Sequence, residues 1–284
     1  MVTSDATDRT TTRADEGGWA AGPAAISLGA LLGNRLVLGL LVPVVALGGW
    51  ELLAAAEMIS TKVLPPPSEV LGTIGSLVAD GTLWGHVWIT LWRVVLGFAL
   101  GTAAGTVLGA ATGYSGTLFR LLDPTIQGLR SIPSIAWVPL FILWFGIFET
   151  PKVTLIAVGV FFPVYLGLAT GVHGVDRKLV EVARIYRYTP LQLIGRVLLP
   201  ASLPAYITAL RNGLGLGWMF VVAAEFMGAS QGLGYLLIDG QMTGRADRII
   251  AAILLFALMG KLTDALLHGL TRPLLRWQDS FKKA

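Results

Sequence analysis

Five ionisable residues stand inside long apolar runs: Arg93, Arg211, Glu225, Lys261 and Asp264. A charge within hydrocarbon is costly, so each needs a partner, a route to the interface or a water-filled path. Two readings stay open for each of them. They either face a pathway and attract an anion, or they snorkel and pair across helices; Glu225 would repel an anion, which favours a structural or gating role. Trp218 either walls such a pathway or packs. None of the five falls at acid–base or metal-ligand spacing, which argues against an enzyme embedded in the membrane. The chain has no cysteine, which removes disulfides, thiolate metal sites and thiol nucleophiles. His86, His173 and His268 are scattered, so no metal site is expected. A phosphate-cradling loop needs Gly-x4-Gly-Lys-Ser/Thr, and the lone Gly260-Lys261 is followed by Leu262. Hydrolysis of ATP is therefore not expected of this chain.

A second kind of chemistry is docking. Residues 176–200, DRKLVEVARIYRYTPLQLIGRVLLP, are polar and basic between apolar segments. Asp176 suits an N-cap, and Leu179, Val182, Ala183 and Tyr186 share one side of the helix that follows. Glu181 is placed to pair at i,i+3 with Lys178 or Arg184. Thr189, Pro190 and Gln192 spell a capping box for a second short helix, which Leu199-Pro200 is expected to end. Two rigid helices at the mouth of a membrane domain offer a surface to a soluble partner.

This stretch resembles the cytoplasmic coupling loop of ABC importer permeases: EAA, three residues, Gly, nine residues, then I-x-L-P. Glu181, Ala183, Leu199 and Pro200 match in register, Val182 and Val197 are mild replacements, and Arg187 stands at the Gly position. In the family that Gly suits a left-handed turn, so a non-Gly residue there costs about 1 kcal/mol. WITLWRVVLGFALGTAAGTVLG, SIPSIAWVPLFILWFGIFETPK, FFPVYLG and GWMFVVAAEFMGASQGLGYLL are similar to the permeases of aliphatic sulfonate importers, from about Leu36 onward. Permeases for taurine, nitrate and other small anions share much of the pattern. The resemblance implies an all-α integral membrane protein of the type I ABC importer fold, with about six transmembrane helices. It also implies a second permease copy, two cytoplasmic ATPase subunits that use ATP and Mg, a periplasmic binding protein and a small anionic substrate. A stand-alone secondary transporter is the competing class, and it leaves the docking loop unexplained.

The elements that must position these residues follow from composition. Hydrophobic residues make up 54% and charged residues 13%, with a mean hydropathy of +0.71, well outside the soluble range. Residues 1–34 are a polar tail, expected to be flexible and cytoplasmic. Residues 35–83 hold a first span, Leu36–Ala56, and an outer connection. That span is too long for a signal peptide, despite Ala54-Ala55-Ala56. Pro65, Pro66 and Pro67 break the connection, and Ser68 is expected to cap a short helix ending near Asp80-Gly81. Residues 84–270 form the permease core, with spans near 88–113, 134–147, 153–173, 203–227 and 249–270; the third is interrupted by Pro139, and Ser202 is expected to cap the fifth. Residues 271–284 are a basic tail. Gly97, Gly101, Gly105, Gly109 and Gly113 recur every four residues, a ridge that lets another backbone approach.

Lys and Arg give the orientation. With both termini cytoplasmic, fourteen fall on inner segments, Arg120 and Arg130 among them in a connection, and four on outer ones: Lys62, Lys152, Arg245 and Arg248. That bias fits a multi-pass protein of the bacterial inner membrane and explains the +4 net charge without nucleic acid. Depths along the helices predict an Arg211–Asp264 pair near the inner side and an Arg93–Glu225 pair near the outer side.

Overall fold

The computed structural model describes residues 35–275 and 277, which fall into two units divided between Trp50 and Glu51. The tail expected over residues 1–34, and most of the basic tail beyond 275, lie outside the described residues. Among the described residues every regular element is helical. Helix α1 is Arg35–Ala55, with Pro43 inside it. In the first unit its side chains from Leu41 to Leu47 are exposed, as suits a lipid-facing helix.

The second unit contains the stretch expected to form the core. Helix α2, Pro67–Ala79, starts on its own proline with Pro66 as N-cap, since a proline suits the first helical turn. Ser68 is thus not the cap expected of it. Its amide and hydroxyl both donate to the Glu51 carboxylate, at 3.1 and 2.7 Å. Helix α3, Thr82–Tyr114, contains the second expected span. Helix α4, Gly116–Arg130, fills the stretch read as a connection: Ser115 caps it, accepting from the Leu118 amide, and Pro124 sits in its interior. A 3-10 turn, Ser134–Trp137, leads into α5, Val138–Phe145. Pro139 opens α5 rather than interrupting a span. At about 1.5 Å per residue, the 8 residues of α5 are too short to cross a bilayer. Residues 116–130 and 135–145 pass for one span only as a pair, bent by 91°.

Helix α6 is Glu149–His173, and α7 is Arg177–Ile185. Helix α8 runs unbroken from Pro190 to Phe226. Leu199-Pro200 therefore does not end the second docking helix. Instead, Ile194–Leu198 widens into a π turn, in which the Leu199 amide bonds to the Ile194 carbonyl. Proline has no N–H and its ring crowds the carbonyl four residues back, so a wider turn just before Pro200 lets the helix continue. Ser202 lies inside α8, buried, its hydroxyl donating to the Leu199 carbonyl at 3.3 Å, so it caps nothing. Helix α9, Leu233–Met242, lies in the stretch between the spans expected near 203–227 and 249–270, and α10 is Ala246–Thr271. Four helices, α3, α6, α8 and α10, are long and apolar enough to cross a membrane, and the bent pair makes a fifth.

The glycine ridge explains the core. Gly97, Gly101, Gly105 and Gly109 of α3 lie on the carbonyls of Val153, Ala157, Phe161 and Tyr165 of α6. Both series step by four residues, so the two helices meet turn for turn. A Cβ at Gly105 would sit 2.9 Å from the Phe161 oxygen, and one at Gly113 2.9 Å from Val172. At such separations weak Cα–H···O contacts recur and backbone packing replaces side-chain packing. Val94, Leu155, Ile156, Val160, Val164 and Val221 then close the core between α3, α6 and α8.

Candidate functional site

The stretch expected to dock a partner is built from local signals. Asp176 accepts from the Lys178 amide at 2.9 Å and starts α7. At its end the Tyr188 amide bonds to the Ala183 carbonyl and the Arg187 amide to that of Arg184. These two bonds form a Schellman motif, which needs a left-handed residue at its centre. Arg187 supplies it with φ 53°. The turn that a glycine would favour is therefore kept, at a local cost of about 1 kcal/mol. Thr189 and Gln192 then exchange both capping-box bonds, at 3.3 and 3.0 Å.

Glu181 pairs with Arg177 at 2.7 Å, four residues away, in place of the expected i,i+3 partners. On a helix, residues four apart are offset by about 40° and residues three apart by about 60°, so the long arginine reaches the former more directly. Ala183 is buried, whereas Leu179, Val182, Ile185, Tyr186 and Leu191 are exposed. Val182, Ala183, Val197 and Pro200, from the two ends of the motif, line one groove of about 460 Å³. Glu181 stands outside that groove, and Leu199 lines a different cavity, with Tyr114 and Leu168.

At the end expected to face outward the chain assembles an ionic knot. Arg93 on α3 donates from Nε and Nη2 to both Glu149 carboxylate oxygens, at 2.6 and 2.8 Å. Its Nη1 donates to Glu225 Oε1 and to the Gln231 carbonyl, each at 2.8 Å. Lys152 adds a 3.0 Å bond to Glu149. The Arg93 and Glu225 side chains are 2% and 0% exposed, while Glu149 is 51% exposed. A buried charge pair persists only where the remaining donors and acceptors are satisfied, and here they are. Glu225 also accepts from the Thr90 hydroxyl at 2.7 Å and from the Gly234 amide at 2.6 Å. The Leu233 amide donates to Thr90 Oγ1 at 2.8 Å and the Gly232 amide to His86 Nδ1 at 3.1 Å. Three successive amides entering α9 are thus capped by side chains of α3 and α8.

The expected Arg93–Glu225 contact lies in this knot. Glu149, Thr90, His86 and α9 itself were missed by the sequence reading. A second carboxylate at the depth of Arg93 was the available signal for Glu149; nothing local marks the caps of the Leu233 and Gly232 amides, because their partners are 143 and 146 residues distant.

The inner pair has another character. Arg211 on α8 and Asp264 on α10 form two parallel bonds of 2.8 Å, yet their side chains are 41% and 30% exposed. Trp218 donates from Nε1 to Thr263 Oγ1 at 2.8 Å and packs edge-on against Phe256, so it is a packing residue at the α8–α10 seam. Lys261 is exposed and has no ion-pair partner among the described residues.

Arg130 corrects the topology. It lines a cavity with Phe162 and Pro163, halfway along α6, and with Leu216 and Phe220 of α8. A residue beside the middle of a 25-residue membrane helix is not at the inner surface. Without Arg130, the segments expected to lie inside hold thirteen Lys and Arg against four on those expected outside.

Comparison with known proteins agrees with this architecture. Residues 88–275 match the family described as binding-protein-dependent transport system inner membrane component. The chain is 42% identical over 244 residues to a putative aliphatic sulfonates transport permease protein, SsuC, of Bacillus subtilis, covering 86% of this chain and 88% of the relative. It is 34% identical over 251 residues to the taurine transport system permease protein TauC of Escherichia coli, covering 87% and 91%. Its fold is similar to a chain of the MetNI methionine ABC transporter in an inward-facing conformation, with a TM-score of 0.61 and 21% identity over 69% of this chain and 97% of that one. With its all-helical core, its glycine-seamed spans and its capped docking element, the chain belongs to the binding-protein-dependent transport system inner membrane components, the permeases of ABC importers.

Proposed function

We propose that this chain imports aliphatic sulfonates across the bacterial cytoplasmic membrane by alternating access, driven by separate ATPase subunits. The observation that carries the reading is the docking element. Its two helices are capped independently of the rest of the core and turn apolar side chains outward, as a protein partner requires. The substrate class rests on the similarity to the Bacillus subtilis permease. Two copies of the chain enclose the pathway. Two ATPase subunits, which hold ATP and Mg, seat on α7, and a periplasmic binding protein delivers the ligand. The chain itself carries no cofactor and hydrolyses nothing. Both termini face the cytoplasm, in keeping with the Lys and Arg bias.

The test is reconstitution with the ATPase subunits and binding protein in proteoliposomes. ATP should drive uptake of butanesulfonate. Uptake of taurine or nitrate alone would move the substrate and leave the permease role. Uptake driven by a proton or sodium gradient without ATPase subunits would replace the whole scheme with a secondary transporter.

A further inference from the structure

Among the described residues, Arg130 is the cation whose surroundings match the chemistry of an alkanesulfonate. It ends α4 at the 91° bend, beside the midpoint of α6. The side chain is exposed and makes no ion pair among the described residues. Its single side-chain bond goes to Gln127 Oε1, at a long 3.4 Å. The carbonyls at the end of α4 are already engaged by the Ser131 and Ile132 amides, so they do not neutralise it. A free guanidinium at half depth is too costly to leave against lipid. By contrast Arg93 and Arg211 are each held by carboxylates.

The cavity it lines measures about 270 Å³, and its other walls are Phe162, Pro163, Leu166, Leu216 and Phe220. Phe220 reaches this wall because Gly159 leaves room: a Cβ there would meet the ring at 2.6 Å. One cation at one end and aliphatic and aromatic carbon elsewhere complement an anionic head with a short alkyl tail. Pro163 and Leu166 also line a second cavity of about 550 Å³, with Thr170, Thr208 and Asn212, so the two share walls along the groove between α6 and α8. We infer that the Arg130 cavity is a transit site in which the sulfonate oxygens meet Arg130 and the alkyl tail lies against Leu216 and Phe220, before release along the α6–α8 groove.

This inference rests on the sulfonate reading above, and its test separates the two. Wild-type complex and variants are reconstituted with ATPase subunits and binding protein, with assembly checked by size-exclusion chromatography. Arg130→Gln should assemble and lose about 10- to 100-fold in butanesulfonate uptake, the effect of removing a charge-assisted contact. Arg130→Lys should recover part of it. Leu216→Trp, which fills the apolar end, should shift preference from butanesulfonate to methanesulfonate. Because the chain has no cysteine, Leu166→Cys, which keeps Arg130, gives a single thiol on the cavity wall. A water-soluble methanethiosulfonate should label it, and butanesulfonate should block the labelling. Wild-type uptake by Arg130→Gln, or labelling that butanesulfonate does not slow, overturns the site. If Arg130→Gln fails to assemble, an unchanged chain-length preference in Leu216→Trp overturns it instead. Wild-type complex that moves no alkanesulfonate, with labelling blocked only by nitrate, overturns the substrate reading and the sulfonate assignment together.

Discussion

The Arg93–Glu225 knot and the proposed docking element both depend on charged residues, and they use them in opposite ways. Arg93 and Glu225 are buried, and each makes several bonds to groups from α3, α6, α8 and the approach to α9. Arg177 and Glu181 share a single bond at the surface, four residues apart on one helix. The first arrangement holds helices together, because removing any member strands a buried charge. The second contributes about 0.2–0.5 kcal/mol to its own helix and leaves Glu181 free to exchange partners. Bond length does not separate them, since both regions have contacts of 2.6–2.8 Å. What separates them is the number of elements that would lose a partner.

That contrast is broken most directly at Glu225. Glu225→Ala should cost about 3–5 kcal/mol, the usual loss when one partner of a buried pair is removed. Purified protein in detergent should melt earlier, with amide exchange faster throughout α9. Melting like wild type would mean the knot holds nothing. Glu181→Lys should leave the melting temperature near that of wild type but weaken ATPase binding by about 2–5 kcal/mol if Glu181 meets a buried partner charge. Pull-down of the ATPase subunits and ATP-driven uptake measure this, and normal assembly would return Glu181 to a surface role. Gly101→Leu should cost about 1–3 kcal/mol or more by overpacking, because its Cβ would run into the Ala157 carbonyl and Val160. Gly116→Leu, where nothing lies within 4 Å, is the matched control. The smallest change is expected at Arg187→Gly, which should stabilise the turn by about 1 kcal/mol through relief of its positive φ and leave uptake intact.

Much of this was legible in the sequence where the cause is local. The Asp176 and Thr189 caps, the coupling motif and the glycine ridge depend on residues a few positions apart. The Arg211–Asp264 and Arg93–Glu225 contacts followed from depth, which helix rise converts into distance. What was not legible depends on tertiary partners. Helix α4 reads as a connection because Arg120, Asp123, Pro124 and Arg130 make it polar, and its bend into α5 has no local marker. The π turn before Pro200 lets a helix pass a residue that normally stops one. Helix α9 gains its first-turn partners only when α3 and α8 arrive.

The four-residue registry between α3 and α6 has a mechanical consequence. Glycines on one helix and carbonyls on the other mesh like a rack and its teeth. A slide of less than a full turn would drive an α6 carbonyl into an α3 side chain, whereas a full turn, about 5.4 Å, would be needed to engage again. The two helices are therefore expected to travel as a single beam, with relative motion between helices expected at seams without teeth. The α8–α10 seam is such a place: the half-exposed Arg211–Asp264 clasp there can swivel without any backbone having to climb over another.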